Sequence, residues 1–245
     1  LSDESLDACR AALPAGVGFH VHAGESQADE EDSITKSGLR VVARFARHGI
    51  LGPRSILAHG VHFSDEEIHI LSEYGGWLTH QPRSNMNNAV GVAPVEKMLA
   101  AGVKVCLGND GFSNAMWEEW KAAYLVHKVH QHDPRAMNGN TVIEMAVRNN
   151  AALASQMFGQ DIGALRVGAA ADLILVDYHA PTPLTAGNLP WHILFGFRET
   201  MVTTTIAHGR VLMKDRQLLT LDEAAIAARA RDLAAQVWRR YEAKF

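Results

Sequence analysis

Three things are scarce in this sequence, and each scarcity excludes a class of protein. Cysteine occurs twice, as Cys9 and Cys106. Two thiols cannot frame a disulfide-stapled secreted domain, and Cys106 lies in an apolar run that reads as a buried strand. The usage is that of a reduced, cytoplasmic protein. No apolar run approaches about 18 residues, so no segment reads as a membrane-spanning helix. Positive charge is not in excess: 23 Lys and Arg stand against 27 Asp and Glu, a formal net charge of −4. That balance gives no electrostatic case for nucleic acid or an anionic membrane as partner. The chain also lacks an initiating Met and a basic-then-apolar leader. It opens on Leu1-Ser2-Asp3-Glu4, which reads as a helix start cut from something longer.

What is present is ordinary globular composition, 47% hydrophobic and 20% charged, over 245 residues. That length carries one large α/β domain, or a domain with an appendage. The organising stretch is Gly18-Phe19-His20-Val21-His22-Ala23-Gly24-Glu25, a short buried strand that loosens at a glycine. Successive side chains of a strand point to opposite faces, so His20 and His22 share one. Glu25 follows the second imidazole by three residues, a spacing suited to metal and proton-transfer chemistry. Among 13 His, roughly one His-x-x-Glu arises by chance, so the motif is weak alone.

Its weight comes from the rest of the chain. Ser2 to Ala12 fits a short helix with Ser2 as N-cap, and Val17 to Val21 fits the strand. Gln27 to His48 reads as one helix. Ser55 to Gly60 is a second apolar strand ending in His59. Ser64 caps the next helix, and Trp77 to His80 is a third strand ending in His. Gln81 to Asn88 reads as a polar loop, and a helix runs from about Pro94 to Ala101. Val103 to Leu107 is a fourth strand, with Asp110 between glycines just beyond it. Near-continuous apolar strands alternating with helices indicate a parallel sheet covered on both faces. All four strands end in an ionisable side chain, and the C-terminal strand ends form the active face of β/α barrels. Four units cannot close an eight-stranded barrel. Helices continue over Ala115 to His130 and Thr141 to Phe158, and a β-rich segment with a Val202–Met213 hairpin fills much of 161–220. An amphipathic helix closes the chain from Leu221, with Ile226, Leu233, Val237 and Tyr241 on one stripe.

The ordered set His22-Ala-Gly-Glu25, Leu57-Ala-His59, His80-Gln-Pro-Arg-Ser-Asn85-Met86 and Leu107-Gly-Asn-Asp110-Gly111 resembles the amidohydrolase superfamily. Gly163-x-Leu-x-x-Gly168-x-x-Ala171-Asp172-Leu173 is similar to that superfamily's return into its composite β-sandwich. The likeness is to the aminohydrolase and chlorohydrolase branch near guanine deaminase and the triazine hydrolases. Asn85-Met86-x-Asn88-Ala89-Val90-Gly91 and His192-Ile193-Leu194-Phe195-Gly196 resemble the aminohydrolase of bacterial selenium and purine clusters. The resemblance spans essentially the whole chain, and its specificity lies in the motif order.

The resemblance implies an α/β fold, the C-terminal half (strands five to eight) of a (β/α)8 barrel over 1–160. A β-sandwich segment at 161–220 and a terminal helix at 221–245 complete it. It implies one divalent metal, Zn or Fe, with His22 as the fifth-strand ligand and Asp110 as the eighth-strand ligand. Glu25 is implied as proton shuttle, His59 as the sixth-strand histidine near the attacking water, and His80, Arg83 and Asn85 as substrate groups. The first-strand His-x-His pair has no counterpart here. Asn109 stands where Thr is usual, and Arg83 where a small or acidic residue is common. The implied activity is deamination of a purine- or triazine-like ring by metal-activated water. Dechlorination or amide hydrolysis on the same scaffold, or a catalytically incompetent binding module, are the alternatives. The implied partners are a small heterocyclic substrate, a missing N-terminal half or companion chain, and a second copy in a homo-oligomer. The residues alone leave His59 open between ligand and acid/base, and His80 between pocket wall and core. Read alone, Glu25 is also a first-turn helix acid, and His20 is structural or a support for His22. His127 and the later histidines read as helix-face or loop residues.

Overall fold

Apolar runs too short for a helix become four parallel strands: β1 (His20–Ala23), β2 (Ile56–His59), β3 (Trp77–His80) and β4 (Lys104–Leu107). The computed structural model describes residues 1–245 and divides them into two units. The first comprises 1–163 and 180–199, and its sheet has the order β1-β2-β3-β4. Register sets His22 beside Ala58, Leu57 beside Leu78, and Leu78 beside Val105. Leu57, Leu78 and Val105 are completely buried, as strands covered on both faces require. Val42, Leu71 and Met98 belong to the same core. They come from α3 (Val41–Arg47), α4 (Asp65–Tyr74) and α6 (Val95–Ala100).

Helices otherwise keep the expected order, beginning with α1 (Asp3–Ala12), which Ser2 caps. Two differences have local causes. The stretch expected as one helix over 27–48 is α2 (Gln27–Ser37) and then α3. Gly38 at φ +72 closes α2 in the left-handed conformation that glycine tolerates. At the restart, the N–H groups of Val41 and Val42 donate to the buried carboxylates of Glu30 (3.1 Å) and Glu67 (3.1 Å). Arg40 Nε donates to Glu67 Oε2 at 2.6 Å. Burial is the main reason that the Glu30 carboxyl is raised above its ordinary value. The second difference is at 81–88, expected as loop, where α5 (Pro82–Asn87) forms. Proline suits a first turn, whose N–H has no intrahelical acceptor.

After β4 come α7 (Met116–Gln131), α8 (Gly139–Ile143), a π-helical stretch (Glu144–Asn149), α9 (Asn150–Phe158) and α10 (Leu189–Gly196). This run protects the outer edge of β4. Asn149 Nδ2 donates to Val105 O at 2.7 Å. The Asn150 amide accepts from Leu107 N at 3.1 Å and donates to Leu107 O at 2.9 Å. Two side-chain amides thus satisfy ladder groups that a further strand would otherwise pair. β1 is the other edge, and both His20 and His22 are exposed there.

The second unit, 164–179 with 200–245, is an antiparallel sheet of β5 (Leu173–Val176), β6 (Val202–Ala207), β7 (Arg210–Lys214) and β8 (Gln217–Leu218). The β6–β7 hairpin turns through His208 and Gly209 at φ +49 and +76, as two-residue hairpins with a right-handed strand twist demand. Helix α11 (Glu223–Glu242) is capped by Asp222, and none of its residues is buried. Residues 180–199, inside the span expected to be β-rich, belong to the first unit and carry α10.

Candidate metal centre

The C-terminal ends of β1 and β2 bring three of the expected side chains within ligand range of one another. His22 is the penultimate residue of β1, after which the chain turns at Gly24, φ +57, to deliver Glu25. A Cβ on Gly24 would sit 2.9 Å from the Phe63 ring, so the turn needs glycine on both steric and backbone grounds. His59 ends β2, one register step beyond His22. The two rings meet edge to face with centroids 5.0 Å apart. The ligating atoms of His22, Glu25 and His59 all lie within 4.8 Å of one another.

His59 is held unusually. Its φ is +76, a left-handed backbone that costs a β-carbon residue on the order of 1–3 kcal/mol and concentrates at functional sites. Gln81 Oε1 accepts from the His59 backbone N–H at 2.9 Å, and Gln81 Nε2 donates to Thr79 Oγ1 at 2.6 Å. The His59 ring, 1% exposed, has Nδ1 2.9 Å from Asn85 Oδ1. Its Nε2 lies 3.6 Å from Glu25 Oε2 and 3.7 Å from Asp110 Oδ2. Ser84 Oγ donates to Asp110 Oδ2 at 2.9 Å, and Asn88 Nδ2 donates to Glu25 Oε1 at 3.1 Å. A cavity of about 260 Å³ is lined by His20, His22, His59, Gln81, Asn109 and Asp110 among others.

The donor set fits a divalent ion. Imidazole nitrogens with carboxylate oxygens suit Zn and Fe(II), and the side chains already converge without rearrangement of the strands. His22, Glu25 and His59 are the three whose ligating atoms lie together, and Asp110 stands 3.7 Å from the His59 ring.

The other expected residues are placed differently. His80 does not line that cavity: its buried ring packs against His127 of α7, Nε2 to Nε2 at 3.2 Å. Burial drives the His80 imidazole well below its ordinary value, with His127 adding to the effect. Burial also lowers His127, from 6.5 to about 4. Arg83 is engaged by Glu119: its Nε donates to Oε1 at 2.7 Å, while its terminal nitrogen donates to Ser113 O at 2.7 Å. The guanidinium also lies over the Phe112 ring. It therefore grips the loop just after Asp110. His20 is exposed beside the cavity. Burial pushes the Cys106 thiol up to about 12, outside any nucleophilic range.

Sequence reasoning misses Gln81, Ser84 and Asn88, all on the segment that reads as loop. A Pro after a strand, then short polar side chains, is the available sign of a first helical turn. His127 carries a sign too: Trp120, Ala123 and His127 share one buried face at helical spacing.

Parallel strands whose C-terminal ends gather imidazoles and carboxylates offer a set of ligand atoms suited to a divalent ion. The sequence model of the Amidohydrolase family matches residues 1–212, and the chain belongs to that family. It is 36% identical over 233 residues to the 5-methylthioadenosine/S-adenosylhomocysteine deaminase of Haloarcula marismortui, covering 94% of this chain and 53% of that protein. It is 35% identical over 241 residues to the 5'-deoxyadenosine deaminase of Methanosarcina mazei, covering 96% and 55%. The crystal structure of an adenosine deaminase from Xanthomonas campestris with bound zinc superposes with a TM-score of 0.87 at 26% identity, over 98% of this chain and 55% of that one. The chain spans about half the length of the curated relatives it matches.

Proposed function

We propose that this chain supplies strands five to eight of a (β/α)8 barrel, in 1–160, to an enzyme that hydrolytically deaminates a purine-like heterocycle. Residues 164–179 and 200–220 contribute part of a composite β-sandwich, and 221–245 the terminal helix. The single observation that carries the reading is the convergence of His22, Glu25 and His59 at parallel strand ends, with Asp110 3.7 Å from His59. The names of the relatives favour an adenosine-type nucleoside over a triazine. The site works with one divalent ion, Zn or Fe, and its first-strand His-x-His pair comes from outside these residues. A cytoplasmic setting matches the two free cysteines.

His22 and Asp110 would hold a divalent ion, which would supply acidification of water and charge stabilisation at neutral pH. The chain's own groups do the rest. Asn88 engages one Glu25 oxygen, and the other faces His59. Glu25 is therefore aimed to carry a proton to the ring nitrogen beside the attacked carbon and then to the departing amine. Water adds to the ring carbon, the C–N bond breaks, and ammonia leaves. His59 orients the water or polarises the ring. Asp110 accepts a hydrogen bond from Ser84 on one oxygen, which fixes its rotamer.

The test is ammonia release from adenosine-type nucleosides by this chain assembled with a polypeptide bearing barrel strands one to four. Release that depends on both polypeptides and on metal is expected. Absence of release from the metal-loaded assembly across purine nucleosides would overturn the substrate class.

A further inference from the structure

We propose that Asn85 is a positioning residue that fixes the proton of the His59 ring on Nδ1, so that Nε2 turns its lone pair toward the space between Glu25 and Asp110. The inference rests on the proposed function for its purpose, but not for its test. A neutral imidazole carries one N–H, and its place is decided by which nitrogen has an acceptor. Asn85 Oδ1 lies 2.9 Å from Nδ1. The Glu25 and Asp110 oxygens lie 3.6 and 3.7 Å from Nε2, beyond hydrogen-bond reach. Only the Nδ1 proton has a partner at bonding distance.

The surroundings leave the ring little choice. Asn85 and His59 are each 1% exposed, so water is not available to take over from the amide. The backbone N–H of His59 is held separately by Gln81, and the left-handed φ of +76 sets where the ring begins. Asn85 in turn stands in the first turns of α5, whose start Pro82 fixes. One short helix thus presents Ser84 to Asp110 and Asn85 to His59, while Asn88, its C-cap, reaches Glu25. Among these contacts, only the one to His59 selects between two chemically different forms of its target. An Nε2 lone pair can accept a proton or ligate a cation; an Nε2–H can do neither.

The experiment is nitrogen-15 NMR of the full chain labelled at histidine, at a pH where the ring is neutral. Two variants are compared, Asn85→Asp, which keeps an acceptor, and Asn85→Leu, which removes it at similar volume. The expected result is a protonated Nδ1 in wild type and in Asn85→Asp, with the proton moving to Nε2 in Asn85→Leu. An unprotonated Nδ1 in wild type would overturn the proposal, as would an Nδ1 proton that persists in Asn85→Leu. If Asn85→Leu does not fold, wild type and Asn85→Asp still decide, since an unprotonated Nδ1 in either sinks it. The spectrum reads proton position alone, so a failure to deaminate purines leaves it intact.

Discussion

The Nε2 atom of His59 stands 3.6 Å from Glu25 Oε2, across the ends of two adjacent parallel strands. Neither group is adjacent in sequence to the other, yet register and two left-handed backbone positions, Gly24 and His59, bring them together. The proposed proton carrier therefore sits beside the proposed water-orienting group.

Replacing Glu25 by Gln keeps the side chain's size and its contact with Asn88 but removes the proton. In the assembled enzyme the expected loss of ammonia release is about 10²- to 10⁴-fold. Metal content, measured on the same sample, is expected to stay unchanged.

The edge of β4 depends on side-chain amides. Asn150→Ala leaves the Leu107 N–H and C=O without their partners. The expected cost is about 1–3 kcal/mol of unfolding free energy, with increased aggregation, read from urea midpoints and light scattering.

The His80–His127 pair sets an acid limb. His127 is lowered from 6.5 to about 4 by burial. Between those values the unfolded chain binds a proton that the folded chain refuses. Stability is fully present above pH 6.5 and falls as pH falls towards 4, by on the order of 3 kcal/mol. Urea midpoints at pH 7 and pH 5 should differ less in His127→Leu than in wild type.

Glu30 acts in the opposite sense. Its carboxyl is raised above the ordinary 4.5, chiefly by burial. The folded chain there holds a proton that the unfolded chain has released, so stability declines as pH rises from 4.5 towards neutrality. Glu30→Gln still accepts from Val41 N–H and cannot ionise. Its thermal midpoint at pH 8 is expected to exceed that of wild type, with the gap closing at low pH.

Much of the site is legible in the sequence. Four apolar runs ending in His22, His59, His80 and beside Asp110 give a parallel sheet whose polar ends gather on one side, because strand periodicity is local. The π-helical stretch and the tie between Asn150 and β4 are tertiary, and nothing at positions 144–150 announces them. The α5 segment reads as loop because six residues rich in Ser and Asn lack an apolar stripe; its stability comes from Pro82 and from buried partners. The residues alone leave His80 between pocket wall and core, and only the family resemblance makes it a substrate group. Its ring instead packs against His127, a preference settled by a helix residue 47 positions away in sequence.

Zinc titration bears most directly on the claim that these strand ends form half of a metal site. The chain alone, and the chain with a polypeptide carrying the first-strand His-x-His pair, would be titrated by calorimetry alongside His22→Asn and Asp110→Asn. Weak binding is predicted for the chain alone, at least tenfold tighter binding in the assembly, and loss of about 10- to 100-fold in each variant. Tight stoichiometric zinc in the isolated chain, unchanged by either substitution, would contradict that claim.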